Sequence, residues 1–256
     1  MRLDQYLATY KEVKSRALAQ DLIKEGYVQV NGKIIRKPAF AVDEQDIIEV
    51  HKREHEFASR GGLKLFHAIA KHNVNIKDKV VMDIGASTGG FSDVCLQQGA
   101  CHVYAVDVGV NQLADELKNN PKVSNLENCD IRDLDPSCIT QPIDFICIDV
   151  SFISLKKIFT AVKQYCTPQT ELLVLVKPQF EVGKNFVNKQ GVVKDKNVHK
   201  RLLQDYLEYF QSLDFGVRAI DKAAIQGRSG NQEYIFYMKY QGAGKSIYVP
   251  DVLKGE

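Results

Sequence analysis

This chain has no closely spaced cysteine pair, no long apolar run and little net charge, and each shortage removes a class of function. The cysteines at 95, 101, 129, 138, 147 and 166 form no Cys-x-x-Cys pair and no zinc-knuckle spacing. Disulfide scaffolds belong to short secreted chains, so these read as reduced core or near-core thiols of a cytoplasmic protein. His51 and His55 stand four apart with no cysteine or second histidine pair beside them, and no structural metal is expected. No apolar stretch approaches the roughly 18 to 20 residues that span a bilayer; the run Leu172 to Val176 is strand-sized. The opening MRLDQYLATYKEVK carries charge throughout and lacks the apolar segment of a signal peptide. A net charge of +2 means that attraction to a polyanion has to come from a local patch. Neither an internal repeat nor a low-complexity tract is present. What remains is a globular composition, 256 residues with 45% hydrophobic and 26% charged, long enough for one or two domains.

The first fifty residues read as a compact module. Leu3, Tyr6, Leu7 and Tyr10 follow the spacing of an amphipathic helix. Ser15 is placed to cap a second helix, SRALAQDLIKE, and Gly26 to end it. YVQV, Asn31-Gly32 and KIIR predict a hairpin, because Asn-Gly tolerates the positive φ angles of a type I′ turn. DIIEV, from Asp46 to Val50, predicts a further strand. Basic residues exceed acidic ones up to Phe40: Arg2, Lys11, Lys14, Arg16, Lys24 and Lys33, then Arg36 and Lys37, face Asp4, Glu12, Asp21 and Glu25. The order helix, helix, GYVQVNGK hairpin resembles the αL RNA-binding domain first seen in ribosomal protein S-four. That resemblance implies an RNA partner for the module.

The charged, aperiodic segment His51 to Gly62 predicts an interdomain linker, with domains over 1–58 and 59–256. Strands and helices alternate from Leu63 onward: VVMDI, HVYAVDV, IDFICIDV and ELLVLVKP as strands, with a helix across SFISLKKIFTAVKQY and another capped by Asp195. FGVRAI and EYIFYMKY predict a terminal hairpin. Near-continuous apolar strands belong to parallel sheets covered on both faces, and a doubly wound α/β domain places its sites at the carboxyl ends of strands.

DIGASTGGF, from Asp83 to Phe91, joins a strand to a helix. A P-loop needs Lys-Ser/Thr after its last glycine, where this chain has Phe91-Ser92. A dinucleotide loop needs a middle glycine, where this chain has Ser87. The looser spacing suits S-adenosylmethionine, which brings no pyrophosphate. Asp107 lies where a ribose-binding acid belongs, Asp130 where a carboxylate meets an adenine amine, and Asp83 beneath the loop. The expected cofactor set is Asp83, Gly85, Ala86, Ser87, Thr88, Gly89, Gly90, Phe91, Asp107, Val108, Asp130, Ile131 and Asp149. Arg60 joins the module's cations as an expected RNA contact.

The fourth strand ends Asp149-Val150-Ser151-Phe152, without the prolines of exocyclic-amine methyltransferases, and Cys147 lies inside a strand rather than after a proline. A hydroxyl acceptor fits better, and it needs in-line placement and help with a poorly acidic proton. Lys177 at the end of the fifth strand is the candidate base, oriented by Asp149, with Lys64 placing the acceptor and Glu233 orienting ribose and lysines. The segments SRGGLKL, DIGASTGGF, IDVSFIS, VKPQFE and GNQEYIF resemble the TlyA family, also called haemolysin A, which is related to the FtsJ-type enzymes. The resemblance spans nearly the whole chain. It implies a Rossmann-like methyltransferase fold with a mostly parallel seven-stranded sheet behind a small α+β RNA-binding domain. It also implies a Lys-Asp-Lys-Glu tetrad at Lys64, Asp149, Lys177 and Glu233, and cytidine of ribosomal RNA as acceptor in the large subunit, the small subunit being a further possibility. A monomer in the cytoplasm, without membrane contact, is the expected state. A non-catalytic ribosome-assembly factor and a membrane-lytic protein are the rival readings.

Overall fold

A computed structural model describes residues 1–11, 13, 16–51, 57–227 and 229–254, apart from the side chains of 17 and 25. Lys14, the cap expected of Ser15, and His55 lie outside the described residues. The chain divides into two compact units, Met1–Glu56 and Phe57–Glu256.

In the first unit, helices α1 (Leu3–Tyr10) and α2 (Arg16–Glu25) precede strands β1 (Val28–Val30), β2 (Lys33–Ile34) and β3 (Ile48–Val50). The strands form an antiparallel sheet in the order β2-β1-β3. Leu3 and Leu7 meet Ala19, Leu22 and Ile23 across the helix pair and close on Val28, Val30 and Ile48. Tyr10, in phase with that stripe, stays exposed. Asn31 and Gly32 both take positive φ, 51° and 74°, as a type I′ turn requires. The third strand is shorter than its sequence pattern because Asp46 is diverted, accepting from the Asn31 amide and the Asp43 backbone.

One carboxylate ties this unit together. Asp4 is fully buried and accepts from Arg2 Nε and Nη2 at 2.9 and 3.0 Å, from Arg16 Nε at 3.1 Å, and from Gln20 at 2.8 Å. Arg2 first, then Gln20 and Arg16, hold its carboxyl far below the usual carboxylate range. Removing a buried charge acceptor strands its donors, so Asp4→Ala is expected to destabilise the unit by about 2 kcal/mol. Chemical denaturation followed by a probe in this unit reads the loss, and an unchanged midpoint would contradict it.

The second unit contains α3 (Gly62–His72), β4 (Val80–Ile84), α4 (Gly90–Gln97), β5 (His102–Val106), α5 (Asp115–Lys118), β6 (Val123–Leu126) and β7 (Ile143–Ile148). It continues with α6 (Phe159–Lys163), β8 (Cys166–Val176), α7 (Pro178–Glu181), α8 (Lys196–Ser212), β9 (Phe215–Lys222), β10 (Tyr234–Tyr240) and α9 (Val249–Lys254). The seven strands run β6-β5-β4-β7-β8-β10-β9; the first five are parallel, and β10 is antiparallel to both neighbours. The terminal hairpin forms as its sequence predicts, with β10 inserted between β8 and β9. The helix expected over SFISLKKIFTAVKQY is shorter. A 3₁₀ turn at Leu155–Lys157, capped by Ser154, gives way to α6, and Cys166 already belongs to β8. Asp195 caps α8 by accepting from the Asn197 amide at 2.7 Å.

Two cores cover the two faces of this sheet. Val80, Met82, Ile84, Ile146, Ile148, Leu172, Val174, Val176, Tyr234 and Phe236 point to one. Val81, Phe145, Cys147, Leu173, Leu175 and Ile235 point to the other, beneath α3 and α4. Strand side chains alternate with period two, so whatever extends the second set beyond the strand ends emerges on the α3 side.

Candidate active site

The residues that extend that second set are charged. Cys147 is followed on its face by Asp149, Leu175 by Lys177, and Ile235 is preceded by Glu233; α3, lying over this face, contributes Lys64. The structure therefore brings the four together at the carboxyl edge of the parallel strands, above an apolar floor. They form two ion pairs, Lys177 with Asp149 and Lys64 with Glu233. Lys64, Lys177 and Glu233 are 7%, 8% and 2% exposed. Charges this deep persist only with partners, and each lysine here is matched by one carboxylate.

Two further polar side chains join them. Lys177 Nζ donates to Ser151 Oγ at 2.8 Å, and Gln179 Nε2 donates to Glu233 Oε1 at 3.2 Å. Sequence reasoning missed both, although each stands two residues beyond a tetrad member, which was the available signal. Phe152 was also missed as an exposed group. It adopts φ 65°, is 91% exposed, and sets its ring 4.9 Å from that of Phe180. A bulky residue in the left-handed region is held there by its surroundings. Those surroundings are visible: Glu181 accepts from the Leu155 amide at 3.0 Å and from Tyr206 Oη at 2.5 Å, tying this loop to α7.

Beside the tetrad lies the glycine loop. Gly85 has φ 84°, and a Cβ there would lie 2.6 Å from the Asp149 carbonyl oxygen. At Gly89, with φ 91°, a Cβ would lie 2.1 Å from Leu117 Cδ1. Only glycine serves at either position. Ser87 and Thr88 are exposed at the loop tip, Gly90 opens α4, and the side chains of Ala86, Phe91 and Ile131 turn into the cores. Asp107 is gripped by two backbone amides, Ser87 N and Gly109 N, each at 2.7 Å, which ties the loop to the end of β5. Val108 is exposed beside it. Asp130 is engaged by Arg132 through Nε at 2.9 Å and Nη2 at 2.6 Å, which lowers its carboxyl below the ordinary value. Glu127, absent from the expected set, orders the next turn by accepting from Gln112 N at 2.5 Å and Leu113 N at 3.0 Å.

Asp83 lies under this loop with no exposed surface, and Ser92 Oγ donates to its Oδ2 at 2.7 Å. Its Oδ1 is buried without a hydrogen-bond partner among the described residues, as is Gln179 Oε1. Burial pushes the Asp83 carboxyl up to about 7, Asp149 adds to the rise, and the Ser92 hydroxyl opposes it. An acid under the loop, a cradle closed to any Cβ, and a carboxylate fixed at the next strand end fit a cationic, ribose-bearing cofactor.

The other expected residues are placed as follows. Lys11, Lys24 and Lys33 are exposed on the first unit, while Arg2 and Arg16 keep about half their side-chain surface and direct their guanidinium groups at Asp4. Arg60 stands half-buried in the turn before α3. Among the described residues no cluster of His, Cys, Asp or Glu has the makings of a metal site, and no helix is long and apolar enough to cross a membrane.

The strand order and glycine loop are those of the S-adenosylmethionine-dependent methyltransferase fold. Comparison with known proteins agrees: residues 57–240 match the FtsJ-like methyltransferase model and residues 1–48 the S4 domain model. The protein named 16S/23S rRNA (cytidine-2'-O)-methyltransferase TlyA of Mycobacterium tuberculosis (strain ATCC 25618 / H37Rv) is 37% identical over 241 residues, 94% of this chain and 90% of its own length. Hemolysin A of Brachyspira hyodysenteriae is 35% identical over 238 residues, 92% of this chain and 98% of its own. A solved structure from Streptococcus thermophilus, 34% identical, superposes with a TM-score of 0.78 over 99% of this chain and 94% of the other. This chain belongs to the FtsJ-like methyltransferase family, in the branch that holds TlyA.

Proposed function

We propose that the protein methylates the ribose 2′-hydroxyl of a cytidine in ribosomal RNA, using S-adenosylmethionine. The observation that carries this reading is the pair of buried Lys–carboxylate contacts on one sheet face, beside a glycine cradle that no side chain can fill. S-adenosylmethionine would supply an electrophilic methyl group on a sulfonium. Asp107 would hold its ribose, Asp130 its adenine amine, and the loop from Gly85 to Gly90 its amino-acid end, with Asp83 as the buried counter-charge.

Lys177 takes up the acceptor hydroxyl proton as the oxygen–methyl bond forms and the methyl–sulfur bond breaks, and Asp149 compensates the ammonium so formed. Ser151 fixes where Nζ points. Lys64, held by Glu233, neutralises the phosphate next to the acceptor, and Glu233, braced by Gln179, keeps that lysine in place. Phe152 with Phe180 offers a flat apolar surface to a base lifted out of its stack. The S4 unit, with Lys11, Lys24 and Lys33 exposed, grips RNA through phosphates, which positions without specifying sequence.

The test is transfer of labelled methyl from S-adenosylmethionine to ribosomal subunits isolated without the modification. Label in the RNA supports the reading. Label in protein, or none while the cofactor binds, overturns it.

A further inference from the structure

Between α7 and the first turns of α8 runs the most basic stretch of the second unit. Lys184, Lys189, Lys194, Lys196, Lys200 and Arg201 accompany a single acid, Asp195, so this stretch alone is more positive than the whole chain's +2. All six cations are exposed, and none joins an ion pair among the described residues. Elsewhere in this unit pairing is common: Lys71 with Asp221, Lys79 and Arg218 with Glu171, Arg132 with Asp130, Lys163 with Asp214. Unpaired like charges repel one another, and a polyanion relieves that cost.

The stretch is also held in shape. Asn188 Oδ1 accepts from the Gln190 and Val192 amides at 2.9 Å. Asn231, 2% exposed, accepts from Val193 N at 3.0 Å and donates to Gly191 O at 2.8 Å. His199 donates Nε2–H to Val193 O at 3.0 Å, and its Nδ1 accepts from Tyr234 Oη at 2.9 Å. These anchors tie its middle to Asn231, at the start of the segment that carries Glu233. Asn231 stands two residues before Glu233, and Gln179, on the helix that leads into the stretch, touches Glu233 directly. Phe186, 53% exposed, stands among the cations.

We propose that residues 184–201 form a phosphate-binding ledge that grips the RNA backbone flanking the acceptor nucleotide. The proposal rests on the RNA methyltransferase reading and adds a contact surface to it. RNA fits better than an acidic protein for two reasons. The ledge follows directly on α7, whose Gln179 touches Glu233 of the proposed site, and an exposed aromatic among lysines suits stacking on unpaired bases.

The test is the full-length protein carrying Lys184→Gln, Lys189→Gln, Lys194→Gln and Lys196→Gln, beside the corresponding four Lys→Arg changes. At about 0.15 M salt the glutamine variant is expected to raise KM for RNA at least 10-fold, with kcat within about twofold. Its binding should lose roughly 0.7 to 0.9 of salt slope for each phosphate contact removed. The arginine variant should keep the wild-type slope, and unchanged S-adenosylmethionine affinity in both reports an intact fold. An RNA salt slope and affinity equal to wild type in the glutamine variant would overturn the ledge. Unchanged RNA binding with lost binding of a polyglutamate probe would overturn it too, in favour of an acidic protein. The slope is read without turnover, so failure of the ledge and failure of methyl transfer are told apart.

Discussion

Lys177→Met is expected to lower methyl transfer by about 10³-fold or more, while S-adenosylmethionine affinity stays within about threefold. The asymmetry follows from position. Lys177 ends β8, is 8% exposed, and contacts Asp149 and Ser151 rather than the glycine loop. Its loss leaves the Gly85 turn and the Asp107 clamp untouched, because these are held by backbone amides. Methionine fills a similar volume without a proton acceptor, so a fall in rate reports the nitrogen and not a cavity. Lys177→Arg should not rescue, since a guanidinium does not give up its proton in a protein. Single-turnover rates on RNA, beside cofactor titration, separate the two quantities. Near-wild-type turnover in the methionine variant would remove Lys177 from the chemistry.

The second large effect concerns Asp83 and pH. Its carboxyl titrates near 7 in the folded chain, chiefly through burial, against an ordinary value of 3.8. Between those values the folded state holds a proton that the unfolded state has lost. Stability from this group is therefore fully present below about pH 4 and declines as pH rises towards 7. A shift of that size corresponds to about 4 kcal/mol. Asp83→Asn removes the titration, so the stability of the variant minus that of the wild type should rise by about that amount between pH 4 and pH 8. Urea denaturation at a series of pH values checks it, without cofactor. Parallel curves would show that Asp83 is not a neutral acid in the free protein. The same physics suits the proposed role, since a buried acid that is costly to ionise alone becomes favourable beside a cation.

Much of this was open to reading in the residues. Asn31-Gly32 named its turn, Asp195 its cap, and the apolar runs of β7 and β8 a sheet covered on both faces, because local chemistry decides each. Asp149 and Lys177 stood out as charges ending apolar strands. Their convergence with Lys64 and Glu233 came from family resemblance, although alternation from Cys147 and Leu175 assigns two of them to one face once parallel pairing is known. Other features depend on distant partners. Arg2 and Arg16 looked like plain RNA contacts, and only the helix pairing shows that both also neutralise Asp4. Phe91 sat in the loop motif yet packs into the core, because the first turn of α4 points it inward. The basic run from Lys184 to Arg201 carries no distinguishing mark as sequence, since charge runs usually belong to a solvated face. Its anchoring by Asn231 beside Glu233 is what distinguishes it.

The central claim is that the acceptor is a ribose hydroxyl. Its most direct test is alkaline hydrolysis of RNA methylated by this protein with labelled S-adenosylmethionine. A methylated 2′-oxygen cannot attack its phosphate, so the account predicts label retained in alkali-resistant dinucleotides, with cytidine carrying the methyl group. Label released in mononucleotides would place the methyl on a base and contradict the role given to Lys177.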